Sequence, residues 1–146
     1  IRKFPSILHK LLKIKRFLSE NEPTINEYYK KIPETEAVTV DSALSACWFF
    51  RKELATRVGL LDETIFYSPE DLDYCLRVWK AGKSVLYYPF LTVEHDYQRL
   101  TYGGGGISIM LSHGKGLLYY FIKHKYALRP PRYGAWESNQ RVLRSV

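Results

Sequence analysis

Three carboxylates crowd one short stretch of this sequence: Glu70, Asp71 and Asp73, directly behind Ser68-Pro69. Acids so placed can do two things. At a helix N-terminus they complement the positive end of the dipole. Beside a turn-rich loop, here Gly59 through Asp62 and Glu63 to Phe66, crowding can hold one of them as a general base. For a lone acid capping is the better reading; the cluster keeps the second in play. His95, closing an extended segment, is either a satisfied loop histidine or a ligand for a cation such as Mn²⁺, which imidazole suits better than Mg²⁺. The run Gly103 to Gly106 lacks the Lys and Ser/Thr of a phosphate-cradling loop. Cys47 and Cys75 form no CxxC pair, which argues against zinc and predicts two reduced core thiols in a cytoplasmic protein.

The elements that must position these groups are legible from spacing. Ser68-Pro69-Glu70-Asp71 predicts a helix start, with Ser68 as N-cap and Asp71 completing a variant of the capping box. Leu72, Cys75, Leu76 and Trp79 make its buried stripe, Gly82 ends it, and Asp73 to Arg77 is an i,i+4 ion pair with the acid first. A strand over 84–88, broken by Pro89, and an extended piece over 91–94 follow. Upstream, Val38 to Val40 is a short β-branched run, 43–50 is compact and apolar, and 52–58 is a short helix stopped by Gly59. Residues 107–126 predict one or two helices, interrupted at Gly114 and Gly116.

Phe4, Ile7, Leu8, Leu11, Leu12, Ile14 and Leu18 recur at helical spacing behind Pro5-Ser6, with Lys3, Lys10 and Lys13 beside them. Such a helix either packs on its own protein with solvated lysines, the commoner outcome, or lies on an anionic membrane surface. Residues 19–37 read as a polar loop and 127–146 as poorly ordered.

The 146 residues fit one domain able to bury a core. The formal charge of +7 is unevenly spread. Residues 1–16 hold six Lys or Arg and no acid, 107–146 hold seven against Glu137, and 33–100 hold eleven acids against seven bases. Basic ends attract nucleotide diphosphates, lipid head groups or nucleic acid. The acidic centre and the lack of a nucleic-acid signature argue against nucleic acid as a partner. No run of 18 apolar residues suggests a membrane span, and 1–16 lacks the features of a secretory signal. With no initiator Met, the chain reads as a piece of something longer.

Residues 40–95 resemble the second half of the catalytic domain of family 2 glycosyltransferases, closest to the bacterial rhamnosyltransferase-like branch. The resemblance lies in Val40-Asp41, then Ser45-Ala46-Cys47-Trp48-Phe49-Phe50-Arg51, then Gly59-Leu60-Leu61-Asp62-Glu63. It continues with Phe66, Glu70-Asp71-Leu72-Asp73-Tyr74-Cys75-Leu76-Arg77, Lys80-Ala81-Gly82, Tyr87-Tyr88-Pro89 and His95. No single match is specific; about 56 residues in the family's order are. Ser45 departs from the usual Gly, which narrows the pocket.

The resemblance implies an α/β fold: the C-terminal, acceptor-side half of a GT-A sugar-nucleotide transferase with flanking helices. Its parts would be a basic helix and connector over 1–37, the catalytic half over 38–100, and a glycine hinge with a basic helical tail over 101–146. It implies inverting, metal-assisted transfer from a nucleotide-diphospho-sugar to a glycan or lipid-linked glycan. Asp71 would be the base and Glu70 its orienting partner. Asp41, Trp48 and Asp62 would contact the acceptor, and His95 the metal, Mn²⁺ or Mg²⁺, or the diphosphate. The family's metal-binding Asp-x-Asp belongs to the first half. None precedes Val38, so this chain alone is expected to bind no donor, to be inactive and to self-associate through an open sheet edge. A cytoplasmic location, peripheral at the inner membrane face, goes with lipid-linked acceptors. The competing reading is a non-enzymatic basic module on an anionic membrane or nucleic acid, whose binding would be salt-sensitive.

Overall fold

A computed structural model describes residues 1–18, 34–66, 68–95 and 106–134. Most of the 19–37 loop, Gly103 to Gly105 and the tail beyond 134 lie outside the described residues.

Helix α3 (Glu70–Lys80) is the hub of the fold. Its stripe of Leu72, Cys75 and Leu76 is buried and meets Phe4 from the N-terminal segment and Tyr120 and Phe121 from α4 (Gly106–His124). Ile7, Trp48, Trp79, Val85, Leu117 and Tyr126 pack around this core. The predicted stripe therefore exists. Trp79, at its margin, also donates its indole N–H to the carbonyls of Val40 (3.3 Å) and Asp41 (3.0 Å). That bond satisfies the ring's one polar atom.

The helix starts differently from the sequence expectation. Pro69 occupies the N-cap position and no side chain caps the helix. Ser68 has φ of 46°, outside the extended conformation an N-cap serine needs to fold its hydroxyl back. Glu70, Asp71 and Asp73 still complement the dipole at this end, with Arg77 and Lys80 at the other. The C-terminal end follows the sequence: Gly82 takes φ of +71° after the Ala81 cap, a conformation that favours glycine.

The sheet is small. Strands β1 (Val38–Thr39) and β2 (Leu86–Tyr87) pair antiparallel, Val38 against Tyr87 and Thr39 against Leu86. The Val40 N–H to Val85 carbonyl bond (2.9 Å) extends the contact by one residue. Of the strand expected over 84–88 only two residues are in the ladder, and 91–94 joins no ladder among the described residues. Helix α2 (Lys52–Val58), closed by Gly59, lies beside α3. Arg77 ties them together, donating to the carbonyls of Val58 (2.7 Å) and Leu60 (2.8 Å) while its Nε meets Asp73 (2.8 Å).

Helix α1 (Ile7–Leu18) begins where Pro5-Ser6 predict: the Ser6 hydroxyl accepts the His9 N–H at 3.2 Å. Its first turn is anchored by Ile7 and by the bond from the Ile7 N–H to the Ala127 carbonyl. Leu8, Leu11 and Leu12 are exposed, so the apolar face expected to pack on the protein is turned outward over this stretch.

Helix α4 runs unbroken through Gly114 and Gly116. Gly116 is a close-approach glycine: a Cβ there would lie 2.6 Å from the Ser68 carbonyl oxygen. Beyond α4, residues 127–134 are held in place where a poorly ordered tail was expected. The Tyr133 ring stacks on Trp79 (5.1 Å between centroids), and the Tyr133 and Gly134 N–H groups bond Asp41. Cys47 is a further correction. It is exposed, while Cys75 is buried, because residues 43–50 form an irregular loop with Leu44, Phe49 and Phe50 at the surface. Burial pushes the Cys75 thiol up to about 12, so it stays protonated.

Candidate functional site

The N-terminal end of α3 opens into a cleft of about 470 Å³. Glu70 and Asp71 form part of its wall, together with Ser68 and Phe66 from the preceding turn. Leu44, Ser45 and Ala46 come from the loop after β1, Arg2 from the N-terminus, His95 from the segment after β2, and His113 from α4. The cleft thus brings together Glu70, Asp71 and His95, three residues that the family resemblance singles out. Phe66 stands 90% exposed at the rim.

Asp71 is the most constrained of these groups. It is 4% exposed. Its Oδ2 receives the Arg2 guanidinium, and its Oδ1 receives the Leu72 N–H at 2.7 Å. Burial pushes its carboxyl above the ordinary range, with Glu70 adding to the push and Arg2 opposing both. A carboxyl lifted in this way binds a proton more readily than a solvated one, as a base should. Glu70 accepts the Ser45 hydroxyl at 3.1 Å. Ser45, where the resembling family has Gly, therefore orients the second carboxylate of the pair.

The three expected acceptor contacts lie elsewhere. Asp41 is 1% exposed. Its Oδ1 accepts the N–H groups of Tyr133 (2.8 Å) and Gly134 (2.9 Å), and its Oδ2 meets Arg132 (3.4 Å). It anchors the 132–134 segment. Trp48 stacks on Tyr74 at 5.5 Å beside the core. Asp62 accepts Lys123 (2.6 Å), Tyr119 (3.0 Å) and the Thr64 N–H (3.0 Å). Lys123 above all holds its carboxyl well below the usual range. None of the three lines the cleft.

Behind the cleft, Asp73 is fully buried and gathers Arg77 (2.8 Å), Lys123 (2.7 Å) and His124 (2.9 Å). Burial pushes its carboxyl up, but the His124 and Lys123 hydrogen bonds and the Arg77 charge outweigh that and hold it down. Lys80 donates to His124 Nδ1 at 3.1 Å. The other ring nitrogen, Nε2, therefore carries the proton given to Asp73. This network joins α3 to α4 and fixes the helix that presents Asp71.

The described residues supply no complete metal site of their own. Asp71, the buried acid of the cleft, is engaged by a guanidinium, and among the described residues no group of three His, Cys, Asp or Glu is placed to hold a cation. Arg2, His113 and Ser45 were not singled out as site residues from sequence. Arg2 and His113 carry no local signal, because folding alone brings positions 2, 71 and 113 together. No protein-family model, curated protein or solved structure matches this chain.

Proposed function

We propose that this chain is the acceptor-side half of an inverting, nucleotide-sugar-dependent glycosyltransferase, and that its cleft receives the acceptor hydroxyl. The observation that carries the reading is the convergence of Glu70, Asp71 and His95 on one cleft, from positions 25 residues apart in sequence. Asp71 takes the proton of the acceptor hydroxyl as its oxygen attacks the anomeric carbon. The bond from that carbon to the nucleoside diphosphate breaks on the opposite face, which inverts the centre. Glu70, steadied by Ser45, orients the acceptor. Donor and metal contacts are assigned to the first half of the enzyme, and no step here runs through a metal.

The test is an assay of the intact enzyme against a panel of nucleotide-diphospho-sugars with a membrane glycolipid extract as acceptor. Acceptor-dependent release of nucleoside diphosphate is the expected result. No release with any donor contradicts the reading.

The exposed leucines of α1 favour a second reading, contact with an anionic membrane. Leu8, Leu11 and Leu12 face solvent on a helix that carries Lys10, Lys13, Lys15 and Arg16 and no acid. No described helix is long and apolar enough to cross a membrane, so such contact is at the surface. It is compatible with a lipid-linked acceptor. Salt-sensitive co-sedimentation with phosphatidylglycerol vesicles, lost in Leu8→Ser/Leu12→Ser, is expected; equal sedimentation of that variant contradicts it.

A further inference from the structure

We propose that Arg2 is the positioning residue of this site, fixing the Asp71 carboxylate in the orientation and charge state a base requires. The proposal deepens the transferase reading and rests on it. The two residues stand 69 positions apart, yet the chain is stitched so that they meet. The Arg2 N–H bonds the Ser42 carbonyl (2.9 Å), the Ser42 N–H returns to the Arg2 carbonyl (3.1 Å), and the Ser42 hydroxyl donates to that same carbonyl (2.9 Å). Ser42 itself is fully buried. With its N–H and carbonyl held by three hydrogen bonds, residue 2 directs its guanidinium onto Asp71 Oδ2.

Two features go beyond an ordinary structural ion pair. First, both side chains are largely buried, 13% and 5% exposed, and both line the cleft. Second, Arg2 Nε is a buried donor without a partner among the described residues. Leaving such a donor unpaired is costly, and a pair selected for stability alone has reason to satisfy it.

The physical need is clear from the opposing influences on Asp71. Burial drives a carboxyl toward its neutral form, and a protonated carboxyl accepts no further proton. Arg2 opposes that drive with its positive charge. The groups of the site facing Asp71 are Arg2, Glu70 and Cys75, with His95 and His113 on the cleft walls. Arg2 and the Leu72 amide each take one oxygen of Asp71. Each carboxylate oxygen has capacity for a second bond, so the acceptor hydroxyl can still be received.

The experiment is a carbon-detected NMR titration of the Asp71 carboxyl in this chain, in Arg2→Met and in Arg2→Lys, with circular dichroism to verify the fold. Arg2→Met is expected to raise the titration midpoint by about 1–3 pH units, the usual effect of removing an adjacent opposite charge. Arg2→Lys is expected to restore most of the shift. Arg2→Gln is the second neutral variant should Arg2→Met not fold. In the intact enzyme, the acid limb of the turnover profile should move up in the neutral variant and return in Arg2→Lys. A midpoint that stays put in a folded neutral variant, or an acid limb that does not move, overturns the proposal. The NMR titration needs no turnover, so its failure counts against Arg2 alone. Full turnover in Asp71→Asn counts against Asp71 as the base and overturns the role of Arg2 with it.

Discussion

At the scale of single residues, two neighbouring acids of one helix have opposite environments. Asp71 is buried against one guanidinium and its carboxyl is pushed up; Asp73 is buried against three cationic or hydrogen-bonding partners and is held down. Their consequences for stability have opposite signs. A depressed carboxyl stabilises the fold above its unfolded value, about 3.9, and that contribution is lost as pH falls through the folded value. Asp62 and Asp73 both behave this way. Thermal unfolding followed from pH 7 to pH 3 should therefore show stability falling as the pH drops below about 4, and the fall should be shallower in Asp62→Asn. Replacing Asp73 by Ala leaves the buried His124 Nε2–H and the Arg77 Nε–H without their acceptor next to a void. It should cost about 3–5 kcal/mol in denaturant unfolding, the range for breaking a buried ion pair; a loss below about 1 kcal/mol would mean solvent reaches the network. The Asp73–Arg77 pair was legible in the sequence, because i,i+4 spacing on a helix is local. Lys123 and His124 were not, since nothing in a sequence reports which turn of a distant helix lies opposite.

The elements divide along the same line between local and long-range causes. The α2 stop at Gly59, the α3 stop at Gly82 and the α1 start at Ser6 are settled within a few residues, and spacing found all three. The start of α3 departs from the spacing because Ser68 has the right side chain in the wrong backbone conformation. Gly116 does not interrupt α4; it is the point where the helix comes against the Ser68 carbonyl, just ahead of the acidic cluster. Gly116→Ala is therefore expected to destabilise the chain by about 1–3 kcal/mol, as overpacking does. Gly114→Ala, with open space around its Cβ, should be neutral or slightly stabilising through helix propensity. Equal melting temperatures for the two variants would contradict the close approach.

At the scale of the whole molecule, what was legible is the cleft's acidic pair and its histidine; what was not is the set of residues that surrounds them. Asp41 and Asp62 illustrate why. Acids flanked by motif residues read as contacts for a ligand, but here the carboxylates are used up by Tyr133, Gly134 and Arg132 in one case and Lys123 and Tyr119 in the other. The outer surface also carries unpartnered apolar groups. Phe49 is 82% and Leu60 79% exposed, and Leu111, Leu118 and Ile122 make an exposed stripe along α4. A two-stranded ladder with such a surface is a poor unit on its own, and the isolated chain should self-associate with rising concentration in sedimentation velocity. A concentration-independent monomer would contradict that.

The central claim is that Asp71 is the base that activates the acceptor, and the most direct measurement is turnover of Asp71→Asn in the intact enzyme. The carboxamide keeps the shape of the side chain but has no basic oxygen to take the proton. Turnover should fall about 10²–10⁴-fold, the range for losing a general base, while affinity for the sugar nucleotide stays within about twofold, since donor contacts are assigned elsewhere and unchanged binding verifies a folded enzyme. Turnover within a few-fold of the unmodified enzyme, with donor binding intact, would contradict the claim.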